Sequence, residues 1–314
     1  MKSPFAPWLD QGSPVLLDGG LGTELERRGH TQLGKLWSSA LVRTNPTAIR
    51  EVHRDYLEAG AACISTATFQ AATPTLRQAG LHPAEGEELL RDAVAIAIRE
   101  RDRFVHRHPD LPRPLVAASI GPYGASLGNG AEYQGGYSLT ERELRAFHTG
   151  RWRIMCDSEA DLIAFETIPS WPEACALLSL LYACPWRQAW ISFTCRDALH
   201  ISDGTPLAKV LHEATAVPNV CAVGVNCISP RIALAITESL GGRGSVPFIL
   251  YPNASHEWDL ATRTPVDETS PEDFAEIAGR WHRAGASIIG GCCRTTPAHT
   301  AAMRAGLGWA AVSA

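Results

Sequence analysis

The chain is sparing in charge and has no excess of one sign. Of its 314 residues, 28 are Lys or Arg and 33 are Asp or Glu, so charged residues reach only 19% and the formal net charge is −5. That balance argues against a nucleic-acid footprint or a polybasic membrane patch and favours small-molecule partners. No apolar run reaches the ~18 residues of a membrane-spanning helix. The opening Met1-Lys2-Ser3-Pro4-Phe5-Ala6-Pro7-Trp8 has no apolar stretch of the kind a secretory signal needs. The nine cysteines form an odd count with no small-domain disulfide framework, so a reducing, cytoplasmic location is expected. The C-x-x-C and H-E-x-x-H metal spacings are absent, as are internal repeats, low-complexity tracts and an evident linker.

What is present is an alternation of short apolar runs and helical periodicity. Strands are predicted over Val15–Asp18, Ala62–Thr66, Leu115–Ile120, Leu162–Glu166, Ala189–Phe193, Val220–Asn226, Phe248–Tyr251 and Ser287–Gly291. Several are almost continuously apolar, as strands buried on both faces should be. Asn45-Pro46, Ser229-Pro230, Ser270-Pro271 and Thr296-Pro297 each pair an N-cap side chain with proline at the first helical position, and Thr140 with Glu143 fits a capping box. Gly60 and Gly285 each sit where a helix must end just before a strand. Length alone would allow two domains, but an unbroken series of βα units favours one α/β domain over residues 1–314, a (β/α)8 TIM-type barrel. The longer connections, Gly121–Ser138 and the polar Pro252–Thr269, both follow strands and so belong to the C-terminal rim, where barrel enzymes build their sites.

The pair Cys292-Cys293 lies at the end of the last predicted strand. Adjacent cysteines bridge each other only through strained geometry, but they can share a soft divalent ion. Cys227 ends the sixth strand in Gly224-Val225-Asn226-Cys227, so the barrel would bring all three thiols to one rim. Three protein ligands with an open position is the pattern of a catalytic rather than a structural zinc. Cys63, Cys156, Cys175, Cys184, Cys195 and Cys221 fall inside strand-like or helical stretches and read as buried filler. Asp18 and Glu166 end the first and fourth strands. Each alone reads as a turn or ion-pair residue, but facing one pocket they would suit an ammonium group.

These segments resemble the zinc-dependent homocysteine S-methyltransferases, a family that includes betaine–homocysteine methyltransferase and the homocysteine module of cobalamin-dependent methionine synthase. The resemblance runs from Asp18-Gly19-Gly20, Thr23-Glu24-Leu25 and Arg28-Gly29 through Gly224-Val225-Asn226-Cys227 to Gly290-Gly291-Cys292-Cys293. Gly121-Pro122-Tyr123-Gly124-Ala125, Phe165-Glu166-Thr167, Ser202-Asp203-Gly204-Thr205-Pro206-Leu207 and Tyr251-Pro252-Asn253 are most similar to the bacterial branch that uses S-methylmethionine. The resemblance implies the same barrel. It implies Zn²⁺ on Cys227, Cys292 and Cys293 as the catalytic centre, with L-homocysteine sulfur in the fourth position. Asp18 and Glu166 would receive its ammonium end and the Gly19-Gly20 backbone would lie near its carboxylate. Thr66 and Thr68 match a threonine segment of that pocket, Asn226 would shape the first ligand, and Asn253 would either fill the open metal position or serve a turn. The long C-terminal dimerisation arm of the betaine enzyme has no counterpart, so that enzyme's oligomeric state does not carry over, and a monomer or small homo-oligomer is expected.

The chemistry implied is coherent. A free thiol is mostly protonated at neutral pH, whereas a metal-bound thiol is a thiolate without a separate general base. Four thiolates around one divalent cation leave an anionic centre, which attracts and attacks a sulfonium methyl donor. Tyr123, Tyr133, Tyr137 and Trp258 lie in rim loops, where they either pack or surround such a cation. The rival readings are an S-adenosylmethionine or betaine donor, and a non-catalytic zinc or thiol sensor. A cysteine hydrolase is disfavoured, because no histidine falls on a strand end beside these thiols.

Overall fold

The computed structural model describes residues 2–10, 12, 14–31, 34–240, 244–259 and 264–308, with the side chains of Lys35 and of residues 256–266 outside that description. The described strands are β1 (Val15–Leu16), β2 (Cys63–Ser65), β3 (Leu115–Ile120), β4 (Leu162–Ile168), β5 (Ala189–Phe193), β6 (Val220–Asn226), β7 (Phe248–Tyr251), β8 (Ser255–Asp259), β9 (Thr264–Glu268) and β10 (Ala286–Ile289). Eight of them form one parallel sheet in the order β1-β10-β7-β6-β5-β4-β3-β2, and a parallel bridge from Leu17 to Cys63 joins the two ends. With helices in the crossovers, this is the expected (β/α)8 barrel.

Two apolar layers hold it. Inside the barrel, Val15, Leu17, Leu115, Ala117, Leu162, Ala164, Trp190, Ile249 and Ile288 form one buried cluster. The N-terminal segment closes its floor: Phe5 is fully buried and lies with its ring centroid 6.2 Å from that of Trp190. Outside the strands a larger cluster joins the opposite strand faces to the helices, including Ile49, Val52 and Leu57 of the helix Pro46–Ala59 and Phe274 and Trp281 of the helix Pro271–Arg283.

The local signals act as their chemistry requires. Asn45, Thr140 and Ser270 side chains accept from Ala48, Glu143 and Asp273 amides at helix N-termini. Gly60 and Gly285 end helices at φ 109° and 111°, a conformation open to glycine at little cost. The strand ends differ slightly from expectation. The first strand is only Val15–Leu16 with the Leu17 bridge, β4 runs on to Ile168, and Gly290-Gly291 leaves the sheet to begin the cysteine turn. The Pro252–Thr269 connection is not merely a loop but holds the antiparallel β8–β9 hairpin. Its sequence is polar and carries Pro265, so no apolar alternation announces it. The helical cysteines also differ from the filler reading. Cys156 and Cys184 form a disulfide between helix ends that pack together, and Cys175 is only partly buried.

Strand β6 approaches β7 so closely that a Cβ on Gly224 would lie 1.8 Å from the Ile249 carbonyl oxygen. Gly224→Ala is therefore expected to destabilise the fold by at least the ~1–3 kcal/mol of an overpacked core. Gly128 has φ 65° and open space where a Cβ would stand, so the same change there should cost only about 1 kcal/mol. Denaturant unfolding of the two variants checks the order, and an equally stable Gly224→Ala would contradict the close approach.

Candidate active site

The three expected thiols meet at the C-terminal rim. Cys292 Sγ is 3.0 Å and Cys293 Sγ 3.6 Å from Cys227 Sγ, and all three sulfurs lie within 4.8 Å of one another. Thiolates around a tetrahedral zinc at ~2.3 Å stand about 3.8 Å apart, so the cluster matches such a donor set to within a fraction of the spacing. Among the described residues it is the only group of three or more potential ligand side chains so arranged. Crowding drives the three thiols apart in acidity. Hydrogen bonds from Cys227 and Cys292 hold Cys293 well below the usual thiol range, while the bond with Cys227 pushes Cys292 well up.

Backbone geometry produces this convergence. Cys227 turns out of β6 at φ 54°, an uncommon conformation for a non-glycine residue, and its amide donates to the Tyr251 carbonyl. The cysteine pair is stapled on three sides: Gly291 N donates to Asp18 O, Cys292 N to Pro252 O, and Ala254 N to Cys293 O. Asn253 Oδ1 accepts from Cys293 N at 3.1 Å, which places Asn253 as a brace of the turn. Glycines allow the close packing. A Cβ on Gly20 would lie 2.6 Å from the Cys292 carbonyl oxygen, and one on Gly19 would strike Thr295 and Tyr56. The Gly20 amide donates to Thr295 Oγ1, whose hydroxyl donates to Cys292 O. Glu24, in the same motif, is buried and held by Arg27 and Arg28, and Arg28 also reaches Asp55. Its role is to fasten the helix Leu21–Arg27 to its neighbour.

The two expected acids share the rim interior and are both nearly inaccessible. Asp18 accepts from Ser65 N at 2.7 Å, and Glu166 accepts from Ser119 Oγ. Burial pushes the Glu166 carboxyl up to about 7, with Ser119 and Tyr251 hydrogen bonds opposing it and Cys293 adding to it. Burial also holds Asp18 well above the usual carboxylate range, and the Glu166 charge raises it further. Thr66 and Thr68 face the same region through each other: their hydroxyls are 2.7 Å apart, Thr66 accepts from Ser119 N and Thr68 donates to Ser119 O. They thereby position the hydroxyl that binds Glu166.

Asn226 is fully buried and uses both ends of its carboxamide. Oδ1 accepts from Thr167 N and Ser192 Oγ, while Nδ2 donates to Thr167 Oγ1 at 2.8 Å and faces Cys292 Sγ at 3.9 Å. Thr167, a β-branched residue at φ 60°, is held in that unfavourable conformation by this clamp. Its turn coincides with the shift in β4–β5 register that follows Phe165. A further chain of bonds runs from Ser192 to Tyr251 OH and from Trp190 Nε1 to the same oxygen. None of Thr167, Ser119, Tyr251 and Thr295 was given a site role from the sequence, although Thr167 and Tyr251 stand in motifs quoted there. Each lies beside a residue that was given one, but only the closed barrel shows which neighbour matters.

The rim loop after β3 is tied down by Glu173 at the start of the helix Trp171–Tyr182. Its carboxylate accepts from Tyr123 N, from Tyr137 OH and from His148 Nε2, and Arg151 reaches His148 Nδ1 and the Gly121 carbonyl. Tyr123 and Tyr137 pack edge-on at 5.1 Å within this cluster, which makes them structural. Tyr133 is different: it is 45% exposed, yet its hydroxyl is 3.5 Å from Cys227 Sγ. The Trp258 side chain lies outside the described residues.

Comparison with known proteins shows the family. Residues 15–307 match the family model of homocysteine S-methyltransferase. The chain is 41% identical to homocysteine S-methyltransferase of Escherichia coli (strain K12) over 307 residues, covering 97% of this chain and 98% of the relative. It is 40% identical to homocysteine S-methyltransferase YbgG of Bacillus subtilis (strain 168) over 298 residues, covering 94% and 95%. The metallated form of the E. coli homocysteine methyltransferase MmuM is similar in structure, with a TM-score of 0.87 at 40% identity over 96% of this chain and 99% of that one. From the first barrel strand to the last helix, then, the chain belongs to the homocysteine S-methyltransferase family, and it is a homocysteine-methylating enzyme.

Proposed function

We propose that the chain is a single homocysteine-binding barrel domain that transfers a methyl group from S-methyl-L-methionine to the thiolate of L-homocysteine, forming two molecules of methionine, with one zinc ion held by Cys227, Cys292 and Cys293. The observation that carries this reading is the placement of three sulfurs within 4.8 Å of one another beside two buried carboxylates. Bound there, zinc would lower the pKa of the homocysteine thiol and keep its sulfur a nucleophile at neutral pH.

The chain's own residues supply the rest. Asp18 and Glu166 receive the substrate ammonium, whose charge offsets their burial and mutual repulsion. Ser65, Ser119, Thr66 and Thr68 hold those carboxylates in place. The Gly19–Gly20 turn lies alongside for the substrate carboxylate, although the Gly20 amide is already engaged by Thr295. Asn226 and Asn253 fix the sulfurs rather than the substrate carbon, one facing Cys292 and the other bracing Cys293. In the transfer, the homocysteine sulfur bonds to the methyl carbon, the donor's carbon–sulfur bond breaks, and its electron pair remains on the departing thioether. Positive charge on the donor and negative charge at the cluster cancel as the bond forms, a change that a buried rim favours.

Single Cys227→Ala, Cys292→Ala and Cys293→Ala variants are each expected to lose zinc and methionine formation, whereas Cys175→Ala keeps both. Metal analysis of the purified proteins, about one zinc per chain in the wild type, reads this directly. Full zinc and full turnover in any of the three would break the set. A second expectation concerns pH. Glu166 is charged only above about 7 in the substrate-free pocket, so its attraction for the ammonium is present above that value and fades as pH falls through it. The KM for homocysteine should rise below pH 7. Glu166→Gln should weaken homocysteine binding by ~1–3 kcal/mol with zinc retained and flatten that dependence. An unchanged KM would return Glu166 to a structural role.

The donor is decided by rate. S-methylmethionine is expected to be used fastest, S-adenosylmethionine more slowly and glycine betaine not at all, since an amine leaves carbon far less readily than a thioether. Assays at equal donor concentration test the order, and faster methionine formation from betaine would overturn it.

A further inference from the structure

The rim holds one more carboxylate whose burial no interaction within the described residues explains. Glu132 sits in the short 3-10 turn Ala131–Tyr133 of the loop after β3. It is 9% exposed, and its Oε2 is buried without a hydrogen-bond partner among the described residues. Burying a carboxylate with an unpaired oxygen is costly, and such groups in a folded protein call for a ligand or a strain role. The turn itself is firmly placed. A Cβ on Gly124 would meet Glu132 N at 2.5 Å, and one on Gly135 would meet the Pro169 carbonyl oxygen at 2.7 Å, so the turn is seated on its neighbours. The next residue, Tyr133, reaches Cys227 Sγ with its hydroxyl. Burial raises the Glu132 carboxyl, and the charge of Cys293 raises it further.

We infer that Glu132 receives the sulfonium centre of the methyl donor and is the residue that selects cationic donors. The inference rests on the sulfonium-donor reading above. Three cationic centres must be seated during the reaction, the homocysteine ammonium and the donor's own ammonium and sulfonium. Asp18 and Glu166 account for the first, from the strand ends of β1 and β4. Glu132 stands on the loop that also carries Tyr133, a half-exposed aromatic whose hydroxyl touches the cluster. A donor entering past Tyr133 would bring its sulfonium between that ring and the Glu132 carboxylate, with its methyl group toward the thiolate. The positive charge is then attracted while the donor binds and is neutralised by methyl transfer, so the neutral thioether is held less tightly and leaves.

The test uses the zinc-loaded full chain with Glu132→Gln, which keeps shape and removes charge, and Glu132→Asp, which keeps charge. For Glu132→Gln the KM for S-methylmethionine should rise about tenfold or more, with zinc content and the KM for homocysteine unchanged, and Glu132→Asp should recover part of the loss. Methionine, which keeps the donor's ammonium but lacks the sulfonium, serves as the neutral probe, measured as a competitive inhibitor against the donor at saturating homocysteine. Its inhibition constant should be the same for wild type and Glu132→Gln. Equal weakening of methionine and S-methylmethionine would overturn the sulfonium assignment, and a wild-type donor KM in Glu132→Gln would overturn any role in donor binding. Failure of the sulfonium-donor reading would look different, as wild-type enzyme that makes no methionine from S-methylmethionine.

Discussion

The chemistry of this rim is governed by the crowding of buried acidic groups. Three thiols that lie as close as 3.0 Å cannot all ionise unaided, and Asp18 and Glu166 sit in the same enclosed space with raised carboxyl pKa values. All of them except Cys293 are placed where the ionised form is unfavourable until a cation arrives. A divalent ion at the sulfurs and an ammonium at the carboxylates would both relieve that repulsion. On the proposed reading, affinity for each would be stored in the fold as electrostatic stress, and the barrel must be stable enough to keep these groups together.

That stability is supplied close to the site rather than at a distance. The turn carrying Cys292 and Cys293 is hydrogen-bonded to Asp18, Pro252, Asn253 and Ala254, residues from the first strand end and from the loop after β7. The backbones can approach because Gly19, Gly20 and Gly291 have no side chain to keep Thr295, Tyr56 and Cys292 away. Asn226 performs a comparable task across the barrel, holding Thr167 in a left-handed turn with its carboxamide while facing Cys292. Unfavourable dihedrals at Thr167 and Cys227 are therefore balanced by satisfied hydrogen bonds, and they occur next to the chemistry, where strained backbone tends to be kept.

The barrel and its thiol cluster were legible in the sequence because both rest on simple rules. Buried parallel strands are continuously apolar, and strand ends share one rim, so Cys227 and Cys292-Cys293 could be brought together without knowing a single side-chain contact. Four strands, Leu115–Ile120, Ala189–Phe193, Val220–Asn226 and Phe248–Tyr251, have the expected limits. What could not be read was anything set by pairing between distant segments. The β8–β9 hairpin is polar, the Cys156–Cys184 link joins two helix ends, and Glu173 gathers Tyr123, Tyr137 and His148 from a different element. Asn253 is instructive: its residue type suits a metal position or a turn equally, and only the 3.1 Å contact with Cys293 N shows which task its oxygen performs.

The division of the rim into two charged sites has a consequence for the order of events. The Glu166 carboxylate belongs to β4 and that of Asp18 to the turn just past β1, whereas Glu132 and Tyr133 belong to a loop whose hold on the barrel passes through Glu173 and the packed tyrosines. A substrate seated by strand residues would be positioned by the same framework that positions the sulfurs, which nucleophilic attack demands. A donor seated by the loop needs only to be charged and of suitable shape, and its departure as a neutral thioether removes the attraction that brought it in. The homocysteine side loses a different charge: its thiolate becomes a thioether, so the sulfur end lets go while the ammonium is still held by the carboxylates. On the proposed reading release would be sequential, the donor-derived methionine leaving from the loop and the homocysteine-derived methionine keeping its ammonium on the carboxylates until last.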